Sequence, residues 1–481
     1  MNLSVISRSI GISLLFNAGF MFIGVIVSII YGFDAAFSPL LLSAFITLLA
    51  GLFPLIFVRN TNNINFKEGI TIVVFAWVLS CLFGMLPYVL WGGEFSLINA
   101  WFESVSGDTT TGSTILNNIE ALPKSLIFWR SATHFIGGIG VVIFMLIILP
   151  SASTFRTRIS KVEISALSKQ NYKFKTKQTI GIIAVTYVGL FVATTLSYVL
   201  AGMDWFNAIN HGFSVASTGG FSTLNSSIMG FNSTAIEIVS IIFMYLCGLH
   251  FGLLYSLFVQ RSTKIFSSPI FKFYTLSVLV ATFLIFIELI VSGNYTDWLV
   301  ALKQSAFHVL SYASTTGFAA DDTSIWPNMS IIILIYMSIQ CACSGSTTGG
   351  IKSDRVIIFV KSFLNRIKTQ LHPKAVLPLR IGQNVVGDDM VSAVNLYIVL
   401  YLTFMLLGAA VLSVMGLDFM DSFSASIASI GNVGPGFGSV GSLGNFSEFP
   451  IFGKFVLTLE MLLGRLEIYT FVLIFIIWKK Q

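Results

Sequence analysis

The sequence predicts an all-α polytopic membrane protein: four parallel helix–re-entrant pore helix–helix repeats around one pore, plus two extra N-terminal transmembrane helices. Three observations carry that prediction. The 481 residues are 55% hydrophobic and only 10% charged, whereas a water-facing domain carries about a quarter charged residues. Apolar runs of roughly 20 residues, enough to span a bilayer as a helix, recur along the whole chain. One short pattern appears four times: an amphiphilic segment, a polar turn ending in glycine, then a long apolar stretch.

The first apolar run, Ile10 to Tyr31, is too long for a signal-peptide core and no small-residue cleavage site follows it. It reads as the first of ten crossings, at 9–31, 38–58, 69–91, 127–150, 179–201, 235–259, 272–293, 331–360 (interrupted), 392–416 and 455–478. Segments near 97–109, 205–217, 302–314 and 420–431 are too short to cross. Of the 27 Lys and Arg residues, 22 fall in segments on one side of this arrangement, among them Arg59, Arg156, Arg158, Lys161, Lys169, Lys173, Lys175, Lys374 and Lys480. By the positive-inside rule that side, with both termini, is cytoplasmic. The net charge of +6 therefore follows from topology and calls for no nucleic acid; the expected surround is membrane lipid. The outer loops hold Asp34, Glu94, Asp204, Asp297, Asp321 and Asp418. Either basic residues are simply kept out of them, or they form a negative vestibule that concentrates cations. Cys81, Cys247, Cys341 and Cys343 lie in or beside apolar segments, which argues against a disulfide framework or a zinc site.

Internal repeats decide the architecture. Aligned on glycine, the four turns read Thr110-Thr111-Gly112, Thr218-Gly219-Gly220, Thr315-Thr316-Gly317 and Asn432-Val433-Gly434, with spacings of 108, 97 and 117 residues. Each interval holds two crossings and one short segment, so all units share one orientation and can close around an axis along the membrane normal. The divisions are 1–62 for the extra helices, then repeats at 63–155, 156–265, 266–370 and 371–481. Irregular backbone at membrane depth must line a water-filled cavity or be buried in protein. A dehydrated K⁺ needs a ring of oxygens, which backbone carbonyls supply when glycine lets them point inward together. These twelve residues form the expected selectivity filter. The carboxyl ends of the short helices add partial negative charge. His211 and His308 share a repeat position with Glu103 and Ala425, which suggests helix packing and not chemistry.

Within 331–360 the run Gly345-Ser346-Thr347-Thr348-Gly349-Gly350 cannot propagate a good helix. Arg465 stands 31 residues after Gly434 inside an apolar stretch, and an intramembrane arginine is a functional candidate. Together they suggest a gate: a loop blocking the pore, with Arg465 as a positive barrier bonded to its carbonyls. The alternative is that Arg465 neutralises Glu460 or Glu467 in its own helix. Asp108, four residues before Gly112, either attracts cations near the mouth or pairs with a neighbour such as Arg130. No nucleophile-plus-base constellation stands out, so the chain does not read as an enzyme.

At these residues the sequence resembles the TrkH-type membrane subunits of the Trk, Ktr and HKT superfamily of potassium transporters. The motifs are Trp101-Phe102-Glu103-Ser104-Val105-Ser106-Gly107, Ser217-Thr218-Gly219-Gly220-Phe221, Thr315-Thr316-Gly317-Phe318, Gly345 to Lys352, Asn432-Val433-Gly434-Pro435-Gly436 and Gly464-Arg465-Leu466-Glu467. The resemblance implies K⁺ as the transported ion with no organic cofactor, the bacterial inner membrane, a homodimer, and a cytoplasmic nucleotide-binding, TrkA-type regulatory subunit. The basic loops 151–178 and 352–380 are its expected docking surfaces. Gly112 favours K⁺, because a serine there goes with Na⁺ preference in that superfamily. Passive regulated flow and K⁺/H⁺ or K⁺/Na⁺ symport both fit. The scarcity of acids on the pore helices leans toward the first.

Overall fold

A computed structural model describes residues 1–58, 65–148, 176–373, 377–382 and 384–479. Arg59, Arg156, Arg158, Lys161, Lys169, Lys173, Lys175, Lys374, Lys480 and most of the basic loop 151–178 lie outside the described residues. The chain opens with α1 (Leu3–Ile30) and α2 (Phe37–Phe57). A Cβ on Gly11 would lie 2.6 Å from the Gly51 carbonyl oxygen, and one on Gly51 2.9 Å from that of Gly11. This reciprocal approach is the small-residue packing that holds membrane helices together.

Four helical units follow: α3 (Phe66–Gly84) with α4 (Leu86–Trp91), α5 (Leu97–Asp108) and α6 (Lys124–Ile148); α7 (Thr176–Leu200), α8 (Trp205–Ser217), α9 (Thr234–Cys247) and α10 (Phe251–Phe258); α11 (Pro269–Val291), α12 (Trp298–Ala313), α13 (Asn328–Gln340) and α14 (Ser353–Leu371); α15 (Asp388–Val414), α16 (Phe419–Ile430), α17 (Ile451–Arg465) and α18 (Ile468–Lys479). Among the described residues the only sheet is the antiparallel pair β1 (Leu379–Ile381) and β2 (Asn384–Val386). Among the described residues six helices are long and apolar enough to cross a membrane, and a seventh span results if α9 and α10 count as one. Leu49, Phe53, Leu276, Phe283 and Leu406 are exposed on their faces, as lipid-facing side chains are. This is a multi-pass, all-α membrane protein.

The short helices α5, α8, α12 and α16 match the four segments too short to cross. Each begins on a polar cap: Ser96, Asp204, Asp297 and Asp418 accept from the backbone N–H of Asn99, Asn207, Leu299 and Met420. A capping side chain satisfies donors that the first turn leaves free. Most outer-loop acids serve such local bonds. Asp34 accepts from Ser125 and Ser28, Glu94 from the Asn117 N–H, and Asp321 from Tyr295.

Two crossings expected to be continuous are broken. The stretch 235–259 bends by 109° between α9 and α10. There the Gly248 carbonyl accepts from Cys343 N (3.0 Å), and Phe251 N donates to the Gly345 carbonyl (3.0 Å). The break is possible because the irregular segment after α13 supplies partners for the freed backbone groups. The stretch 455–478 breaks after Arg465, where Glu467 adopts a φ of +58° and its carboxylate meets Lys352 at 3.2 Å and Arg355 at 2.7 Å.

Candidate functional site

The four glycine loops fold alike. In each, the residue before the glycine donates its N–H to the carbonyl six residues before the glycine: Thr111 to Ser106, Gly219 to Ser214, Thr316 to Ser311 and Val433 to Ala428, at 2.8–3.0 Å. Thr110, Thr218, Thr315 and Asn432 all take positive φ, between 52° and 57°, and Gly112, Gly220, Gly317 and Gly434 take φ of 70° to 101°. Two left-handed residues flanking one ordinary one turn successive carbonyls the same way. The glycine is required for more than its φ. A Cβ on Gly112 would sit 2.1 Å from the Gly219 oxygen, on Gly220 1.9 Å from that of Thr316, on Gly317 2.2 Å from that of Val433, and on Gly434 2.6 Å from that of Thr111. Each loop thus abuts the next, and the fourth returns to the first. The four glycines share the wall of one cavity of about 60 Å³.

Side chains lock the ring from behind. The hydroxyls of Ser106, Ser214 and Ser311 each donate at 2.6 Å to the carbonyl just after the glycine, on Ser113, Phe221 and Phe318. The fourth loop has Ala428 and Pro435 at these places, and Ser424 instead binds Phe437 at 2.9–3.0 Å. This serine spacing is visible in the sequence once the loops are aligned, but nothing in one loop alone marks it. Ser311→Ala removes a bond worth about 1 kcal/mol in a fold that already accepts alanine at Ala428. The expected result is normal expression with K⁺-over-Na⁺ discrimination reduced three- to tenfold (~), read as the ratio of ion fluxes. His211 and His308 act as braces: their rings bond Asn207 O and Ser222 Oγ, and Gln304 O and Asp321 O.

The segment Gly345 to Gly350 lies directly against this ring. Thr218 Oγ1 is 3.3 Å from Thr347 Oγ1, which also donates to Ala216 O, and Gly349 N donates to Thr315 Oγ1 at 3.3 Å. A Cβ on Gly349 would meet the Gly431 carbonyl at 2.2 Å, and one on Gly345 the His250 ring at 2.5 Å. Ser346 and Thr348 bond each other at 2.7 Å. Gly350, at φ +66°, faces the Cys341 sulfur. Arg465, at the end of α17, donates to the carbonyls of Thr347 (2.6 Å) and Gly137 (3.1 Å). Among the described residues it has no ion pair with Glu460 or Glu467. Glu460 accepts from Ser426, and Glu467 is taken by Lys352 and Arg355. Asn432 gives its amide N–H groups to Thr111 Oγ1 and Met461 O, so this side chain braces its neighbours.

A family model described as cation transport protein, TrkH, matches residues 40–481. The chain belongs to the TrkH family. It is 30% identical over 488 residues to the Trk system potassium uptake protein TrkH of Halomonas elongata, covering 100% of both chains. It is 30% identical to the protein of that name from Escherichia coli K12, covering 99% of each. The crystal structure of the potassium transporter TrkH from Vibrio parahaemolyticus superposes with a TM-score of 0.89 at 28% identity, covering 98% of both chains. These relatives are named as transport proteins, not enzymes.

Two features of this TrkH-family chain correct expectations. Asp108 does not pair with Arg130, because Arg130 Nε bonds Glu103 at 2.5 Å. Asp108, the last residue of α5, is buried against Gly84 and the Cys81 thiol and does not line the cavity. The cavity bordered by the four glycines is likewise not acidic: no carboxylate lines it among the described residues. At the opposite end, Arg355 is buried over the Tyr397 ring at 4.0 Å, so it depends on Glu467 for charge balance. Glu467→Gln should cost about 3 kcal/mol, the lower end for breaking a buried pair. It should lower the thermal midpoint by several degrees, measured by melting in detergent.

Proposed function

We propose that the chain carries K⁺ into the bacterial cell across the inner membrane, through a channel-like pore with both termini in the cytoplasm. The selectivity filter is Thr110-Thr111-Gly112, Thr218-Gly219-Gly220, Thr315-Thr316-Gly317 and Asn432-Val433-Gly434, whose carbonyls replace the ion's water shell. The observation supporting this most directly is the closed sequence of glycine-on-carbonyl approaches running once around the four loops. Carbonyl ends of α5, α8, α12 and α16 meet at this ring, and their partial charges favour a cation. Gly345 to Gly350 and Arg465 form the gate, a reading supported by the loop's contacts with Thr218 and Thr315. The relatives are named as potassium uptake proteins of a Trk system. In keeping with a system of several components, the chain works as a homodimer with a nucleotide-binding, TrkA-type cytoplasmic subunit.

The test is ion flux into proteoliposomes with K⁺, Rb⁺ and Na⁺ compared side by side, together with the reversal potential. K⁺ and Rb⁺ should pass well ahead of Na⁺, with current reversing at the K⁺ equilibrium potential. A reversal potential that moves with pH or Na⁺ would replace the channel with a symporter. Absence of cation flux, with or without the regulatory partner, would remove the transport assignment.

A further inference from the structure

The cavity bordered by Gly112, Gly220, Gly317 and Gly434 has one ionisable side chain among the described residues of its wall, Arg130. The guanidinium is fixed on three sides. Nε bonds Glu103 at 2.5 Å, Nη1 donates to the Ser222 carbonyl at 3.0 Å, and the Phe221 ring lies under it with its centroid 3.5 Å away. Glu103 is held in turn by Thr114 Oγ1 at 3.0 Å and Ile115 N at 3.1 Å. The pair therefore ties the first glycine loop to the second. Glu103 is fully buried and does not reach the cavity wall. The positive end of this ion pair faces the cavity and the negative end faces protein.

We propose that Arg130 is a specificity-determining residue of the pore, a fixed positive charge at the outer mouth that discriminates against divalent cations. The inference rests on the pore reading above. Coulomb repulsion scales with the charge of the arriving ion, so a divalent cation meets twice the barrier that K⁺ meets. Low-dielectric walls around a narrow mouth keep that field from being screened as it is in bulk water. Glu103 behind the guanidinium offsets part of the field, which leaves a barrier a monovalent ion passes. A carbonyl ring alone has no such filter for charge, because its oxygens attract a divalent cation more strongly than a monovalent one. The absence of carboxylates from the cavity wall, among the described residues, points the same way, since an acidic lining would concentrate divalent ions.

The experiment is Rb⁺ uptake by K⁺-depleted cells of a K⁺-uptake-deficient host expressing the full chain. External Ba²⁺ is titrated, and each variant is normalised to its own rate without Ba²⁺. The neutral pair E103Q/R130Q should be half-blocked at about one-tenth the Ba²⁺ concentration needed for the native chain. Arg130→Lys, which perturbs the brace but keeps the charge, should stay within about twofold of native. Glu103→Gln alone leaves the positive charge unbalanced. It should raise both the half-blocking Ba²⁺ concentration and the Rb⁺ concentration for half-maximal uptake, which keeps the idea testable if the neutral pair does not fold. An unchanged Ba²⁺ block in the neutral pair overturns the proposal, as does equal sensitisation by Arg130→Lys, which would make Arg130 a brace only. A native chain with no Rb⁺ uptake overturns the pore reading as well, whereas normal uptake with unchanged block overturns this inference alone.

Discussion

Gly220→Ala should reduce potassium uptake at least a hundredfold (~) while leaving the protein in the membrane. The added methyl would come to 1.9 Å from the Thr316 carbonyl oxygen at a φ of +84°. The conformation alone costs about 1–2 kcal/mol for a residue with a side chain. The clash is with backbone of the next repeat, so the oxygen must turn away from the axis for the methyl to fit. Both consequences fall on the same ring of carbonyls and neither reaches the lipid-facing helices. The check is Rb⁺ uptake alongside the amount of chain in the membrane fraction. Gly19→Ala, with nothing within 4 Å of the new methyl, is the control. Uptake within twofold of native for Gly220→Ala would contradict the filter. The distances also order the series: Gly434, with 2.6 Å of clearance, should tolerate alanine better than the other three.

Arg465→Gln should raise unregulated flux about tenfold in proteoliposomes lacking any partner. Arg465 holds the Thr347 carbonyl at 2.6 Å and the Gly137 carbonyl at 3.1 Å, tying the Gly345–Gly350 segment to α6. Hydrogen bonds from a charged donor contribute roughly 1.5–3 kcal/mol each, and a loss of about 1.4 kcal/mol shifts the closed-to-open ratio tenfold. On the gate reading, deleting 345–349 removes the obstruction itself, so it should raise flux at least as far. Flux that is unchanged in both variants, at native expression, would rule out the gate.

The positions of the short helices were legible because each announces both its ends. Asp204, Asp297 and Asp418 cap the starts, and a Thr or Asn two residues before the glycine marks the stop. The crossings at α1, α2, α3 with α4, α7, α11 and α15 were legible by length and composition alone. The bend after Cys247 was not, because Gly248-Leu249-His250 leaves the hydropathy of its stretch unbroken. What permits the bend is a pair of backbone bonds to Cys343 and Gly345, almost 100 residues away. The partners of charged groups were equally hidden. Arg130 had Asp108 and Glu103 within reach of its position in the chain, and the choice of Glu103 follows from side-chain direction around α5. Arg465 found carbonyls where two glutamates stood nearer in sequence. Hydropathy reports where a segment lies; it is silent on which of several buried polar groups will meet.

A ring assembled from four identical chains changes every quarter at once when one codon changes. Here one chain supplies all four quarters, and they already differ: Ala428 stands where the others carry serine, and among the described residues an arginine lines the cavity only at the junction of the first and second. Such a ring can drift one quarter at a time, so its geometry is open to adjustment in small, separately inherited steps.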